Sequence, residues 1–463
     1  MLCLPGARAT RRPLIHRLRN PGRLILLAGA MLMGGCTAVS AQPTQREEAV
    51  LTLQAAINGA LQNAPVILAA EREVAAGRQQ VNSVRGLAYG ELDALVTAQH
   101  LNDAQLLRPL AGPISASSMA TAPFAQDQLH AGAVYTFPLY DGRQIANRIL
   151  IAELSEAKAR SFLKGTRADV TYNVTALYVQ AQALRAQADA LTAEIEELDT
   201  TRKNTELAVK IGKRADVELL KIVDRVREAE AAREAVLAQR RRVVATLLAV
   251  MGRDPAGAPK LAPLPEELPS VRMAFQDLEA AAARRTSVTV AQLTVRQGER
   301  NVSLARGSLE PVISLQTSYL RHFDAAYPDN SRETWFVGMA VSMPLLDWGV
   351  RRAALSKSRE ETQAAKAQAD GARLQAMADL QAALAAWDAA KKQLDAANAQ
   401  YDAAREVARI EQLRYDTGAG DIEDLLRART REAAARTAQA NAKALVLVSG
   451  AQINHVTEQE AVR

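Results

Sequence analysis

Two long segments without proline constrain the fold of this chain more than any other feature. Residues 143–210 contain no proline and one glycine, Gly165, and residues 351–415 contain no proline and one glycine, Gly371. Because an α-helix rises 1.5 Å per residue, each segment predicts a helix of roughly 100 Å. A single compact domain does not contain a rod of that length, so the segments predict a coiled coil or a tube of helices. Aromatic residues are only 4% of the chain, so small side chains such as alanine would form its core.

The two segments belong to an internal repeat with a fixed offset. Pro138 in TFPLYDGR and Pro344 in SMPLLDWG are 206 residues apart. Gly212 in KIGKRADVELLK and Gly418 in DTGAGDIEDLLR are also 206 residues apart. Self-similarity at a constant offset indicates two copies of one supersecondary unit.

Each copy predicts the same order of elements. We predict the first repeat at 48–254, with a helix, a strand pair at about 88–139, a long helix at 143–210 and a helix at 216–250. We predict the second repeat at 273–452, with a helix, a strand pair at about 310–345, a long helix at 348–416 and a helix at 421–449. A proline-rich linker at 255–272 separates the copies, and a tail at 453–463 follows the second.

The predicted strands alternate between two kinds of side chain. In EPVISLQTSYL, Ile313, Leu315 and Tyr319 fall on one face, and the serines and glutamine between them fall on the other. In WFVGMAVSM at 335–343, every second residue from Trp335 is large and apolar, and Gly338, Ala340 and Ser342 between them are small or polar. This pattern suits either a barrel wall between lipid and water or a half-buried strand of a soluble sheet.

The number of strands decides what a membrane location would require. Four strands leave two open edges, and lipid does not tolerate unpaired backbone groups. Closed membrane barrels need about eight strands or more. If these are membrane strands, several chains must therefore pool them, and three chains would supply twelve.

The N-terminus has the pattern of a secretory signal. A basic region up to Arg23 precedes an apolar run at 24–35 and the small residues CTAVSA, which predicts a signal peptide at 1–41. We favour cleavage after Ala41. The sequence MGGC supports a competing interpretation, in which Cys36 is lipidated.

The basic excess of the chain comes from this leader. The formal net charge is +6, and residues 1–41 contain six arginines and no acidic residue. The remainder has equal numbers of acidic and basic residues, which argues against a nucleic-acid-binding surface.

Sequence motifs of catalysis are missing. The five histidines are scattered with no pair at metal-ligand spacing, and no Ser/His/Asp set, phosphate-binding glycine loop or cysteine motif occurs. We therefore expect no enzymatic activity, no cofactor and no metal.

The duplicated layout, the two PLxD junctions and YDTGAGDIEDLLRA at 415–428 resemble the outer-membrane efflux protein family, the TolC family. The resemblance implies a mostly α fold with a small β part and a homotrimeric channel-tunnel. Its 12-stranded membrane β-barrel, with four strands per chain, would sit on a long α-helical barrel.

The resemblance also implies a function and partners. The chain would lie in the outer membrane, in contact with its lipid and with a periplasmic extension. It would be the passive conduit of a tripartite efflux or type I secretion system, with a periplasmic adaptor (membrane fusion) protein and an inner-membrane pump of RND or ABC type. Drugs, metal ions and secreted proteins all stay open as cargo.

The resemblance also implies a role for the two PLxD junctions. They would mark the points where each strand pair leads into a tunnel helix. Pro138 and Pro344 would end a strand, where a missing N–H is tolerable. Asp141 and Asp347 would cap the start of the long helix.

The resemblance places the two glycine motifs at the tip of the helical barrel. Gly212 and Gly418 fit helix C-cap glycines that let the chain reverse. The repeat pairs Glu218 with Asp424, which we predict as pore-mouth acids; the alternative is an acid in a first helical turn, favoured by the helix dipole. The predicted residues for the tip and for adaptor docking are Gly212, Leu219, Leu220, Tyr415, Gly418, Leu425 and Leu426.

Two tip positions depart from the family pattern. Gly420 stands where TolC has an arginine, and Arg427 stands where TolC has an acid. The resemblance therefore does not extend to the way the gate is locked.

Two alternative functions remain at this point. A periplasmic adaptor also has a long helical hairpin, but it would carry one hairpin flanked by soluble β domains. A coiled-coil structural protein would not explain two motifs of glycine, turn and acid at a constant spacing.

Overall fold

The computed structural model of the protein describes residues 50–109, 115–120, 122–264, 275–324 and 332–458. The predicted signal peptide and the competing lipidation site Cys36 lie outside the described residues. Parts of the predicted linker, at 265–272, and of the tail, at 459–463, also lie outside them. Everything described belongs to one compact unit, Glu48–Arg463.

Besides a short 3-10 helix at Leu87–Tyr89, the first repeat contains five α-helices and two strands among the described residues. They are α1 (Leu53–Asn63), α2 (Pro65–Gly86), β1 (Glu91–Leu106), the short α3 (Ala116–Ala120), β2 (Phe124–Tyr140), α4 (Gln144–Lys210) and α5 (Asp216–Val250).

The second repeat contains four helices and two strands among the described residues. They are α6 (Phe275–Ala282), α7 (Thr286–Gly307), β3 (Val312–Asp324), β4 (Arg332–Ser342), α8 (Val350–Asp416) and α9 (Ile422–Thr457). The chain is thus mostly helical with one small sheet, which confirms the predicted fold class. None of the described helices combines the length and the apolar character that crossing a membrane requires.

The long helices α4 and α8 have 67 residues each. Helix α8 packs along α9 through a heptad seam that contains Leu380, Ala383, Ala390, Leu394 and Ala397, all buried. Alternation of three and four residues is the coiled-coil spacing, and the small alanines let the two backbones approach closely. Over this stretch, the core of the second hairpin is therefore the seam between its two helices.

The first helix of each repeat is broken, whereas the sequence analysis predicted one helix in each copy. Helix α1 ends at Asn63 and α2 begins at Pro65, with Ala64 extended between them (ψ 125°). Proline has no N–H to donate, and it forces the preceding residue out of the helical region. In the second copy, Arg285 is the extended residue (ψ 149°) between α6 and α7.

Two predicted boundaries also need correction. Helix α9 continues to Thr457, so the first residues of the predicted tail are helical. The described part of the predicted linker is bound to the first repeat, because Leu261 is buried and forms a parallel bridge with Leu51. The hydroxyl of Tyr178 lies between both segments, 2.9 Å from the carbonyl oxygen of Leu51 and 2.7 Å from that of Ala262, and shares its one proton between them.

The four strands form one antiparallel sheet in the order β1-β2-β3-β4. The pairing of β2 with β3 joins the two repeats, and β1 and β4 are the edges of the sheet. In the β3–β4 register, Tyr319 lies opposite Trp335 and Leu315 lies opposite Met339. These apolar pairs share one face of the sheet. The other face carries mostly small or polar residues, as the alternation predicted, with Leu320 and Phe336 among the exceptions.

Pro138 lies inside β2 and does not end it, in contrast to the sequence analysis. The strand continues to Tyr140, and its register with β3 shifts between Pro138 and Tyr140. Pairing with β1 has already ended at Thr136, so the missing N–H of Pro138 interrupts no bond to β1. Pro344 follows the end of β4 by two residues.

Candidate functional site

The two helix turns at residues 211–215 and 417–421 are built alike. Gly212 (φ 72°) and Gly418 (φ 81°) adopt the left-handed conformation. The residue after each glycine, Lys213 or Ala419, donates to the carbonyl oxygen five residues earlier, at 2.8 Å in both turns. This is the Schellman arrangement, for which glycine is preferred because it carries no Cβ. We call the two turns and the adjoining helix ends, residues 198–226 and 411–432, the tip.

An apolar cluster holds the two turns of the tip together. Its buried members are Leu198, Ile222, Val226, Tyr415, Ile422 and Leu425, and Leu426 packs against it. Leu219 is half-buried, and Leu220 is 66% exposed. Of the four leucines predicted for docking, Leu425 therefore belongs to the core of the tip, and Leu220 is the one that faces outward.

The hydroxyl of Tyr415 connects the two repeats inside the tip. It lies 2.9 Å from Oγ1 of Thr205 on α4, and it donates to Oε2 of Glu218 on α5 at 3.0 Å. Burial raises the pKa of the Tyr415 phenol above its ordinary value of 10. The side chain is therefore a neutral hydrogen-bond donor at physiological pH.

Arg214, which the sequence analysis did not single out, makes the second connection. Its guanidinium carbon lies 4.2 Å from the centroid of the Tyr415 ring, and Nη2 donates to the Tyr415 carbonyl at 2.6 Å. Nη1 donates to Oε2 of Glu218 at 3.3 Å. Arg214 of the first turn thus contacts the ring and the backbone of Tyr415, next to the second turn. It also contacts Glu218, which accepts the hydrogen bond of the Tyr415 hydroxyl. The only sequence signal was the spacing of four residues between Arg214 and Glu218.

Gly420, where the family pattern has an arginine, leaves no room for a side chain without adjustment. A Cβ there would lie 3.0 Å from Cβ of Arg414 and 3.1 Å from the backbone nitrogen of Tyr415. The arginine that contacts Tyr415 here is Arg214 of the other turn.

The two acids predicted for a pore mouth occupy different environments. The Glu218 side chain is 19% exposed and bound to Arg214 and Tyr415. The Asp424 side chain is 51% exposed, with Arg427 at 3.6 Å. Glu218 and Asp424 are equivalent in the repeat, but their carboxylates are not equally exposed. Only the first turn supplies an arginine, Arg214, that covers its acid.

Further ion pairs brace the helices behind the turns. Glu194, whose side chain is 2% exposed, accepts from Arg225 at 2.6 Å. Burial raises the pKa of Glu194, and Arg225 opposes that rise. On the second hairpin, Arg429 reaches Glu197 of α4 at 2.6 Å, and Lys221 pairs with Glu423 across the two repeats.

The strand-to-helix junctions also repeat their geometry. Oδ2 of Asp141 accepts from the N–H of Ile145 at 2.5 Å, and Oδ2 of Asp347 accepts from the N–H of Arg351 at 3.1 Å. Each aspartate stands two residues before the N-cap position, which Arg143 and Gly349 occupy with positive φ. Both carboxylates thus bind a free N–H of the first helical turn, where the helix dipole favours negative charge.

The described residues contain no group of three or more histidine, cysteine, aspartate or glutamate side chains arranged to hold a metal ion. The geometry of the tip is that of two hairpins joined by breakable polar contacts, next to an exposed apolar surface.

Comparison with known families identifies this architecture. The family described as outer membrane efflux protein matches residues 56–253 and 278–457, which is most of the sequence. The chain belongs to this family. It is therefore an outer-membrane channel component of an efflux system, with a tunnel that extends into the periplasm, and its family is one of channels and not of enzymes.

Solved structures of the same architecture agree with this assignment. The outer membrane protein VceC of Vibrio cholerae superposes with a TM-score of 0.72 at 16% identity, covering 88% of this chain and 96% of VceC. The CmeC outer membrane channel of Campylobacter jejuni gives 0.75 at 14% identity, with 88% and 85% covered. The open state of the MtrE outer membrane channel of Neisseria gonorrhoeae gives 0.70 at 19% identity, with 88% of each chain covered. No curated protein sequence matches the chain.

The family assignment decides between the alternatives that the sequence left open. The predicted resemblance, function and localisation are confirmed, and a periplasmic adaptor or a structural coiled coil is not supported.

Proposed function

We propose that three copies of the chain form the working channel. The observation that carries this proposal is the four-stranded sheet with two unpaired edges and one apolar face. On that face, Trp335 is 71% exposed and Met339 is 68% exposed in the single chain. Three such sheets joined edge to edge would make a closed barrel of twelve strands, with the apolar face toward lipid and the polar face toward water.

The helices would continue the barrel as a tunnel. Helices α4, α5, α8 and α9 of three chains would form its wall, and the tip would be its periplasmic end. The conduit would be passive, with no enzymatic step, and an inner-membrane pump of RND or ABC type would supply the energy. The same conduit serves efflux or type I secretion, and nothing in the tip selects one cargo.

We infer that an adaptor (membrane fusion) protein docks on the exposed apolar residues of the first turn. Leu207, Ile211, Val217 and Leu220 are each more than half exposed and lie within 14 residues around Gly212. Replacing Leu220 by aspartate should weaken adaptor binding at least tenfold, because a charged side chain would have to be desolvated in an apolar contact.

Pull-down of the adaptor with purified channel tests this docking surface. The control is Leu445→Asp, because Leu445 is 44% exposed but lies on α9 away from the tip. Equal adaptor binding by the wild type and by Leu220→Asp would contradict the proposal.

We further propose Asp424 as the main carboxylate of the pore mouth, with Glu218 as a lesser one. Three exposed Asp424 side chains in one narrow ring would favour cations. Asp424→Asn should therefore lower the cation preference measured as a reversal potential across planar bilayers. Glu218→Gln should change it less, because Arg214 pairs with that acid. Unchanged selectivity in Asp424→Asn would leave these acids with the ordinary role of first-turn residues.

A further inference from the structure

Two histidines that are 192 residues apart in sequence lie side by side on the polar face of the sheet. His130 of β2 and His322 of β3 are directly opposite each other in the register. Their Nδ1 atoms are 2.7 Å apart, and their rings meet edge to face with centroids 4.9 Å apart. The pair lies toward the ends of β2 and β3 that are farther from the long helices. His322 is buried and His130 is half-buried.

We propose that His130 and His322 together bind a divalent first-row transition-metal cation, such as Cu²⁺ or Zn²⁺, through their two Nδ1 atoms. Imidazole nitrogen is a preferred ligand of these ions. The site is complete within one chain and does not depend on trimer formation.

The outer nitrogens of both rings are held by uncharged partners. Nε2 of His322 lies 3.1 Å from the hydroxyl oxygen of Thr334, and Nε2 of His130 lies 3.4 Å from Nε2 of Gln99. A consistent arrangement has Gln99 donating to His130, His130 donating from Nδ1 to His322, and His322 donating from Nε2 to Thr334. Both rings are then neutral, which is the form that binds metals. Partners that fix the second ring nitrogen are the usual support of a histidine ligand.

The two nitrogens can share a metal after they separate slightly and both rings turn, because the metal would lie off the line of the present hydrogen bond. With metal–nitrogen bonds of about 2.0–2.1 Å, two ligands at about 90–110° lie roughly 2.9–3.4 Å apart. The present separation of 2.7 Å is a few tenths of an ångström short. The hydrogen on Nδ1 of His130 must also move to Nε2, where the amide oxygen of Gln99 can accept it after rotation of that amide. This is a change of tautomer with no net change in protons, and water completes the coordination.

Positive side chains act against the site, and Arg332 is one of them, since it lies directly opposite His322 in the β3–β4 register. Arg108 exerts an electrostatic effect on His322, and its Nε is buried without a hydrogen-bond partner. Its positive charge opposes a bound cation. Removing that charge should therefore tighten metal binding, an effect that a purely structural histidine pair would not show.

Cu²⁺ titration of the purified full-length channel, followed by electron paramagnetic resonance, tests the proposal. The wild type should bind one Cu²⁺ per chain with hyperfine structure from two imidazole nitrogens. His130→Gln and His322→Gln should each leave one nitrogen and weaken binding at least tenfold. Thr334→Val should weaken it about tenfold, as expected for loss of an outer-shell partner, and Arg108→Gln should tighten it.

Matched controls are the two described histidines that pair with carboxylates. His100 contacts Asp127 and His455 contacts Asp169, both at 2.6 Å, and His100→Gln and His455→Gln should leave the two-nitrogen signal intact. A wild-type spectrum with no nitrogen or one nitrogen overturns the proposal without any variant. Full binding in the double variant His130→Gln, His322→Gln also overturns it. Equal affinity of the wild type, Thr334→Val and Arg108→Gln does so as well, because these variants keep both histidines.

Discussion

Arg214 joins the two turns of the tip through three contacts. It donates to the Tyr415 carbonyl and to Glu218, and it stacks on the Tyr415 ring. Arg214→Gln removes charge-assisted hydrogen bonds worth about 1–3 kcal/mol and leaves a half-buried carboxylate without its cation. Amide hydrogen exchange near Gly212 and Gly418 should therefore accelerate roughly 5- to 150-fold, since about 1.4 kcal/mol is a factor of ten.

Arg427→Gln is the matched control for this prediction. Arg427 is an arginine of the tip as well, but it is 60% exposed and 3.6 Å from its acid, so its loss should change exchange little. Equal protection in the wild type and in Arg214→Gln, or equal loss of protection in both variants, would contradict the role given to Arg214.

Residue contacts of this kind were only partly predictable from the sequence. Gly212, Gly418 and Tyr415 stood out because a turn needs glycine and because Tyr415 matches a family motif. Arg214 did not, because its contact with Tyr415 spans 201 residues and depends on how the two turns face each other. The pair of His130 and His322 was missed for the same reason. Strand register brings the two residues together, and no local spacing in the sequence indicates their contact.

At the scale of elements, the proposed barrel gives the sheet one face for lipid and one for water. Val337 lies in the middle of the apolar face of β4, between the Trp335 and Val341 pairs. A lysine at such a depth costs about 2–4 kcal/mol in a membrane barrel. Val337→Lys should therefore reduce the amount of assembled, heat-modifiable channel in outer-membrane extracts.

Gln316→Lys is the matched control for the sheet. Gln316 lies on the polar face of β3, opposite Gly338, so a lysine there should face water and leave assembly unchanged. If both lysine variants assemble equally well, the assignment of the two faces is wrong.

The elements themselves were largely predictable, and the errors have physical causes. The long helices followed from the missing prolines, and the strands followed from their alternation. Pro65 was visible in the sequence. The apolar periodicity continues across this proline, however, so one unbroken helix was predicted. The continuation of β2 past Pro138 depends on a register shift that only pairing with β3 reveals.

At the scale of the whole molecule, a membrane barrel requires that β1 and β4 each pair with a further strand. They are the two edges of the sheet within one chain. Exposed edges invite pairing with another chain, and in lipid they require it. The sequence predicted this need from the strand count, but the number of chains is set by closure of the barrel and by packing between chains.

Disulfide cross-linking between the two edges tests the central claim most directly. One cysteine replaces Ala94, Val96 or Ala98 on β1 and a second replaces Val337, Met339 or Val341 on β4, all on the apolar face of the sheet. Single-cysteine variants are the controls. If β1 of one chain pairs with β4 of the next in a ring of three, at least one pair should give covalent dimers and trimers on non-reducing gels, and nothing larger. A ladder that continues beyond three chains, or no species larger than a monomer in every pair, would contradict the trimeric barrel.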